Sequence, residues 1–165
     1  MNEYKKEIIF AERKTIKEVE EGNSLSPKFD AKGLIPCVTV EVISNEILML
    51  SYLNKEAFQK SILTEKAHYY SRSRNKIWLK GEISGMTHSI KEILIDDDQD
   101  SVIFKVVLEK PFKGGKKAPC HVGYKSCFYR KIVLKNNDLK LVFTENEKSF
   151  DPDLVYEGTE NPTKL

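Results

Sequence analysis

EILMLSYL (residues 46–53) runs directly into NKEAFQKSILTE (54–65), and together they predict a β-strand followed at once by an α-helix. The first segment has the apolar and aromatic composition of a strand. Asn54 is a good helix N-cap, and Glu56 lies in the first turn, where a carboxylate is favourable. One side of the predicted helix is lined by Ala57, Phe58, Ser61 and Ile62. The remaining elements extend in both directions from this strand–helix unit.

The segments around this unit are rich in β-branched and aromatic residues, which is typical of strands. Before it, PCVTVEVI (36–43) is separated from the central strand by Ser44-Asn45, a hairpin signal. After it, the predicted strands are AHYYSRSR (67–74), KIWLKG (76–81), THSIKEILI (87–95), SVIFKVVL (101–108), SCFYRKIVL (126–134) and DLKLVFT (138–144), the last preceded by the turn Asn136-Asn137.

Helix-forming residues fill positions 3–21, without glycine or proline, and Gly22 is a suitable helix end. The acidic tail 145–165 contains two prolines and is predicted to be loop. The predicted fold class is therefore α+β: a mostly antiparallel β-sheet of six or seven strands, with one central helix and an N-terminal helix.

The composition limits the possible function classes. The chain has 165 residues, with 27 Lys and Arg against 25 Asp and Glu, so its net charge is only +2. This near-neutral charge argues against a dedicated nucleic-acid binder, and no apolar run is long enough to span a bilayer. Three cysteines are an odd number, and we find no signal peptide at the N-terminus. We therefore expect a cytoplasmic, single-domain protein with reduced thiols, in which metal ligation is favoured over a disulfide framework.

The acidic stretch DDDQD (96–100) is the first motif that can carry chemistry. In an extended segment Asp96, Asp98 and Asp100 point to one side, and converging carboxylates repel one another unless a cation lies between them. Hard ions such as Mg²⁺ prefer these oxygen ligands. A solvated acidic loop is the alternative. An EF-hand is excluded, because the required glycine and final glutamate are missing.

The second motif is PCHVGYKSCF (119–128), in which Cys120 and Cys127 are seven residues apart and His121 follows the first cysteine. Two thiolates and a third ligand from elsewhere would form a zinc site with an open coordination position. The alternative is a pair of unrelated buried cysteines. Cys37 lies within an apolar predicted strand and is expected in the core.

The third motif is AHYYSRSRNKIWLKGEISG (67–85). Strand alternation would place Arg72 and Arg74 on the same face as Tyr70. Arginines clamp phosphates, and the glycines farther along allow the backbone to approach a ligand closely. The alternative is a basic strand face with Trp78 in the core.

Six blocks of this sequence, in this order, closely resemble the phosphoribosyl-AMP cyclohydrolase family of histidine biosynthesis. They are GLIP (33–36), LMLSYLNKEA (48–57), YYSRSR (69–74), WLKGEISG (78–85), DDDQD (96–100) and CHVGYKSCF (120–128). This ordered series is much more specific than any single motif. We divide the chain accordingly into an N-terminal helical extension (1–22), a cyclohydrolase-like domain (23–135), and a C-terminal hairpin strand with an acidic tail (136–165).

The resemblance implies a homodimer that binds a small nucleotide and hydrolyses the N1–C6 bond in the adenine ring of phosphoribosyl-AMP. In this family zinc is held by three cysteines contributed by both subunits, and aspartates bind Mg²⁺. Carried over by position, Mg²⁺ falls to Asp96, Asp98 and Asp100. Zinc falls to Cys120 and Cys127, with Asp97 where the family has its third cysteine. A carboxylate can ligate zinc, so we expect a weaker site of two cysteines and one aspartate.

Under this interpretation zinc would activate a water for attack on C6, and His121 is the candidate proton shuttle. The expected substrate-binding residues are Tyr70, Arg72, Arg74, Trp78, Lys80, Glu82 and Ser84. Met86 and His88 also depart from the family pattern, and the segment 108–121 is unusually long and basic. These departures leave open a divergent relative that hydrolyses another purine nucleotide, or a non-catalytic nucleotide- or metal-binding protein.

Overall fold

A computed structural model describes residues 7–163 of the chain. These residues form three α-helices and eight β-strands. In chain order the elements are α1 (Ile16–Glu21), β1 (Leu34–Glu41), β2 (Ile47–Asn54), α2 (Lys55–Thr64), β3 (His68–Ser71), β4 (Lys76–Leu79), β5 (His88–Ile95), β6 (Val102–Leu108), β7 (Arg130–Lys135), β8 (Asp138–Phe143) and α3 (Pro152–Val155).

Six strands form one sheet in the order β4-β3-β2-β1-β6-β5, and β7 pairs with β8 in a separate hairpin. All neighbouring strands are antiparallel except β1 and β6, which run parallel with Cys37 opposite Val102. The predicted α+β class and mostly antiparallel pairing are confirmed. The parallel pair adds a constraint that the sequence pattern does not reveal, because it places the β5–β6 turn beside the chain that leads into β1.

The junction of β2 and α2 forms as predicted. The Asn54 carboxamide oxygen accepts a hydrogen bond from the Ala57 amide at 2.8 Å and caps the first turn of α2. The buried Ser61 hydroxyl donates to the Ala57 carbonyl at 2.8 Å and accepts from the His68 amide at 3.0 Å. The bond from the His68 amide holds α2 against the start of β3.

The hydrophobic core lies between α2 and one face of the large sheet. Phe58 of α2 packs against Phe104 of β6 with 6.4 Å between ring centroids, and Tyr69 of β3 lies 6.1 Å from the same phenylalanine. Cys37 is fully buried in this core, as predicted. Burial raises the pKa of its thiol, which keeps the group neutral.

The predicted N-terminal helix over residues 3–21 is wrong for most of its described length. Only Ile16–Glu21 is helical, and residues 1–6 lie outside the described residues. Phe10 instead packs against Phe29 and Phe58, at 6.2 and 5.3 Å between ring centroids. The Ala11 amide donates to the Leu25 carbonyl at 2.8 Å. Long-range contacts therefore override the helix propensity of this segment.

The C-terminal region departs less from the prediction. β7 begins at Arg130, later than the predicted strand over 126–134, and the tail expected to be loop contains the short helix α3. Asn136 and Asn137 have φ of 51° and 60°, which is the left-handed backbone that a two-residue hairpin turn requires. Within residues 7–163, no helix has the length and apolar character needed to cross a membrane.

Replacement of Phe58 by alanine is expected to lower the free energy of unfolding by about 3–5 kcal/mol, because it leaves a cavity among well-packed aromatic rings. Leu63→Ala on the same helix is the matched control. Leu63 is 45% exposed, so its loss should cost less than about 1 kcal/mol. Urea unfolding followed by circular dichroism measures both values, and equal losses would contradict this account of the core.

Candidate active site

A cleft of about 770 Å³ opens between the end of β4 and the C-terminal segment that carries α3. The sequence-predicted site residues that line it are Arg74, Trp78, Lys80, Glu82, Ser84, His121 and Cys127. The structure thus gathers most of the third motif and part of the second around one cavity.

Cys120 and Cys127 form a hydrogen-bonded pair of sulfurs at this cleft. Cys120 is buried and Cys127 is exposed, and both thiols are free. The hydrogen bond from Cys127 lowers the pKa of Cys120, and backbone hydrogen bonds from Val122 and Tyr124 act in the same direction. The same bond raises the pKa of Cys127. Within the pair, Cys120 is therefore the thiol that ionises more readily, because its thiolate accepts the hydrogen bond.

Backbone contacts hold this cysteine pair in place. The Cys127 amide donates to the Leu48 carbonyl of β2 at 2.7 Å, and the Ser126 hydroxyl donates to the Ile47 carbonyl at 2.8 Å. Gly123 closes the turn between the cysteines with φ of +101°. A Cβ there would lie 2.8 Å from the Phe150 carbonyl oxygen, so the position requires glycine. The second motif is thus anchored to the central strand by its backbone.

Lys80 interacts electrostatically with the cysteine pair and is only 5% exposed. Its ammonium donates to the Pro119 carbonyl at 2.6 Å and lies 5.7 Å from the centroid of the Trp78 ring. Burial lowers the pKa of Lys80, while the charges of Cys127 and Cys120 oppose that change. The ammonium is therefore the positive partner of the cysteine pair.

Two histidines lie near this ammonium and have different surroundings. His121 is partly exposed at the cleft, and burial together with the Lys80 charge lowers its pKa. His88 is fully buried: its Nδ1 lies 3.3 Å from the Tyr69 hydroxyl, which is 2.7 Å from the Thr39 hydroxyl. Its Nε2 has no hydrogen-bond partner among the described residues. Of the two, His121 is the one that a molecule in the cleft can reach.

The prediction that Arg72 and Arg74 lie on one face of a β-strand is wrong. β3 ends at Ser71, so Arg72 and Arg74 lie in the turn before β4 rather than on alternating strand positions. The Arg72 guanidinium lies 4.1 Å from the Tyr52 ring centroid, outside the cleft, whereas Arg74 lies 5.8 Å from the Trp78 ring at its edge. These residues form a turn rather than a strand because β3 and β4 pair as a hairpin, with Ser71 opposite Lys76.

Tyr70 also lies outside the cleft, where its hydroxyl donates to the Asn75 side chain at 3.3 Å. Glu82 is exposed in the cleft wall, and Ser84 is buried there. The Ser84 hydroxyl is also a hydrogen-bond partner of Tyr156, a residue of the C-terminal segment. Sequence reasoning missed Tyr156 because it treated the tail as a loop outside the site, although Asp151-Pro152 is a recognisable helix start.

The acidic motif forms a turn, so the expected extended arrangement is wrong. The Asp96 carboxylate accepts hydrogen bonds from the Asp100 amide and from the amide and hydroxyl of Ser101, which lower its pKa against the opposing effect of burial. Lys28 forms ion pairs with Asp98 at 3.0 Å and Asp100 at 3.4 Å.

One group of potential metal ligands stands out within residues 7–163. Oxygen atoms of Asp96, Asp97 and Asp98 lie within 4.8 Å of one another, and no other such group of three or more His, Cys, Asp or Glu residues occurs in that range. Carboxylate oxygens suit a hard divalent cation. Asp97 therefore does not lie with Cys120 and Cys127 of its own chain. At the cysteine pair, one chain supplies two potential metal ligands rather than three.

Comparison with known proteins gives one consistent result. A family model described as phosphoribosyl-AMP cyclohydrolase matches residues 49–129. A protein named phosphoribosyl-AMP cyclohydrolase from Bradyrhizobium diazoefficiens is 45% identical over 139 residues, which cover 84% of this chain and 94% of that protein. One with the same name from Agrobacterium fabrum is 43% identical over 141 residues, covering 86% of this chain and 91% of that protein.

The chain belongs to the phosphoribosyl-AMP cyclohydrolase family. The match to the phosphoribosyl-AMP cyclohydrolase model includes the cysteine pair, the acidic turn and the segment from Arg74 to Ser84. It leaves out residues before 49, and the C-terminal hairpin and Tyr156. Much of one cleft wall, and the N-terminal segment beside the acidic turn, therefore lie outside the part that the family model describes.

The metal-free protein is expected to keep one thiolate at a pH below the range in which an ordinary cysteine ionises. The thiolate is present above the lowered pKa of Cys120 and is lost as the pH falls through it. Cys127→Ala removes the donor and should move the titration of the ultraviolet thiolate absorbance to higher pH. Cys37→Ala is the control, since Cys37 lies in the core and stays neutral. An unchanged titration in the Cys127 variant would contradict the paired arrangement.

Proposed function

We propose that this chain is a metal-dependent phosphoribosyl-AMP cyclohydrolase, which hydrolyses the N1–C6 bond of the substrate's adenine ring in histidine biosynthesis. The observation that carries the proposal is the hydrogen-bonded Cys120–Cys127 pair beside His121 at a cleft large enough for a nucleotide, in a chain of this family. A cytoplasmic location agrees with three free thiols.

The cysteine pair fits zinc by the chemistry of its donors. Two adjacent sulfurs, one of which ionises readily, are soft ligands of the type that zinc binds, and Cys127 faces the cleft. When bound, zinc acts as a Lewis acid that lowers the pKa of water and so supplies a nucleophile near neutral pH. Asp97 is the proposed third ligand, and Lys80 offsets part of the negative charge of the two cysteines.

The third ligand requires a second copy of the chain, because Asp97 does not lie with the cysteines of its own chain. An uncovered apolar row supports such a homodimer. Leu50, Val38, Ile103 and Leu94 lie side by side across β2, β1, β6 and β5. Leu50, Leu94 and Ile103 are 47%, 38% and 36% exposed, and rows of this kind mark protein interfaces.

The chain's own residues have separate roles in the proposed reaction. Water adds to C6, and the N1–C6 bond breaks as the C6 carbonyl forms. Both protons therefore leave the water oxygen: one must reach N1, and the other goes to the exocyclic nitrogen or to solvent. His121 carries the proton to N1, since it borders the cleft next to Cys120 and its lowered pKa keeps the imidazole neutral near pH 7.

The remaining site residues bind the substrate or the second metal. Trp78 offers a face on which the base stacks, Arg74 and the exposed Glu82 bind at the cleft edge, and Ser84 lies in its wall. Tyr70 and Arg72 face away from the cleft of their own chain, so their proposed contact with substrate depends on the homodimer. Mg²⁺ is proposed at the acidic turn, through Asp96, Asp98 and Asp100.

Purified protein is expected to open the ring of phosphoribosyl-AMP in the presence of Mg²⁺ and trace Zn²⁺, and to lose this activity when zinc is chelated. Cys120→Ser should lose zinc binding and turnover together, since it removes one of two sulfur ligands. A spectrophotometric assay of ring opening and a zinc titration measure the two effects. Full activity after complete removal of zinc would refute the mechanism, and absence of turnover with both metals present would refute the assigned substrate.

Asp97→Cys tests the departure from the family pattern. A thiolate binds zinc more tightly than the harder carboxylate, so zinc affinity and cyclohydrolase activity should both rise. The control is Asp97→Asn, which removes the charge and adds no sulfur, and should lower both. A cysteine variant that gains neither would favour a divergent enzyme retuned for another purine nucleotide.

A further inference from the structure

The N-terminal segment 8–28 is bound to the acidic turn by a dense set of hydrogen bonds, and the centre of this contact is Gln99. Gln99 is 5% exposed and has φ of +59°, an uncommon backbone conformation for glutamine. Its side-chain amide makes three bonds to the N-terminal backbone: it accepts from the Ser26 amide at 2.7 Å and donates to the carbonyls of Val19 at 3.0 Å and Ser24 at 3.2 Å.

Backbone bonds of Gln99 extend this contact on both sides. Its carbonyl accepts from the Lys28 amide at 2.7 Å, and its own amide donates to the Asp96 carbonyl at 3.2 Å. The residue between Asp98 and Asp100 is therefore tied both to the N-terminal segment and to the start of the acidic turn. A change in the backbone of the turn around Gln99 would disturb these bonds.

Arg13 forms a second bridge between the same two parts of the chain. Its guanidinium donates to the Ser26 carbonyl at 2.6 Å and to the Asp98 carbonyl at 2.9 Å. Arg13 thus binds the backbone of the turn, while the Asp98 carboxylate forms its ion pair with Lys28. The segment that supplies these groups lies outside the part that matches the family model.

We propose that Gln99 and Arg13 are positioning residues, through which the N-terminal segment 8–28 sets the geometry of the acidic turn for a divalent cation. Binding of the cation and docking of the segment are then coupled, and by linkage each stabilises the other. The proposal rests on the cation site suggested above at Asp96–Asp100. Outer groups that orient metal ligands typically change metal affinity by about 10–100-fold.

The test measures Mn²⁺ affinity by electron paramagnetic resonance, as a probe of the Mg²⁺ site, and amide hydrogen exchange of residues 19–28 with and without Mn²⁺. In the wild-type chain Mn²⁺ should slow this exchange, and Asp98→Asn should abolish both the binding and the slowing. Gln99→Gly removes the side-chain bonds but tolerates the positive φ. It should weaken Mn²⁺ binding by about 10–100-fold and remove the slowing.

Two further variants keep the result interpretable if Gln99→Gly disturbs the turn itself. Arg13→Met leaves the sequence of the turn intact and should weaken Mn²⁺ binding in the same direction. Gln59→Met is the matched control: its amide donates to the Ile8 carbonyl of the same segment at 2.6 Å and makes no contact with the turn. It should leave Mn²⁺ affinity within about twofold, because it removes one bond remote from the ligands.

Three results would overturn the proposal: unchanged Mn²⁺ affinity in both Gln99→Gly and Arg13→Met, Mn²⁺ binding that does not slow exchange in the wild type, or Mn²⁺ binding that Asp98→Asn leaves intact. The ring-opening assay on the wild-type chain reports separately on the proposed function. Coupling without turnover would refute the function and keep the inference, whereas turnover without coupling would do the reverse.

Discussion

The Lys80 ammonium, buried and bonded to the Pro119 carbonyl, is the interaction on which the arrangement of the site depends. Among the described residues no carboxylate lies within ion-pair distance of it. Burial of an unpaired charge is costly, so the ammonium requires the nearby sulfur pair as its counter-charge. The carbonyl that it binds immediately precedes Cys120. This side chain therefore holds the backbone next to Cys120 and places a positive charge near the proposed zinc ligands.

The second constraint is the parallel pairing of β1 with β6. Because Cys37 lies opposite Val102, the turn that precedes β6 is brought beside the chain that precedes β1. The acidic turn thereby meets Lys28, Arg13 and the backbone of residues 19–26: Lys28 binds its carboxylates, Arg13 its backbone, and residues 19–26 the Gln99 side chain. The same pairing sends the carboxylates to a different part of the chain from the cysteines. Within one chain the carboxylates of the acidic turn and the cysteine pair are therefore separate groups.

Local sequence rules worked where local interactions dominate. Asn54 caps α2, the Asn136-Asn137 turn closes its hairpin, and the apolar segments became the strands of the large sheet. They failed where distant contacts supply more free energy than local propensity. Phe10, which is predicted to be helical, packs instead against Phe29 and Phe58. The aspartates, which are predicted to alternate along an extended segment, form a turn. The burial of the Lys80 ammonium depends on its hydrogen bond to the Pro119 carbonyl. Because Pro119 is distant in sequence, the residues next to Lys80 do not predict this burial.

The sequence by itself determined the fold class, the residue types of the site and, through the order of its motifs, the family. These follow because side-chain periodicity and ligand chemistry are properties of short stretches of chain. Only the tertiary structure decided which of these residues meet. It joined Cys120 to Cys127, buried Lys80 near them, placed Tyr156 in the cleft wall and held Asp97 in the acidic turn, apart from the cysteines. The reason is that such contacts depend on strand order and backbone direction, which are set by burial across the whole chain.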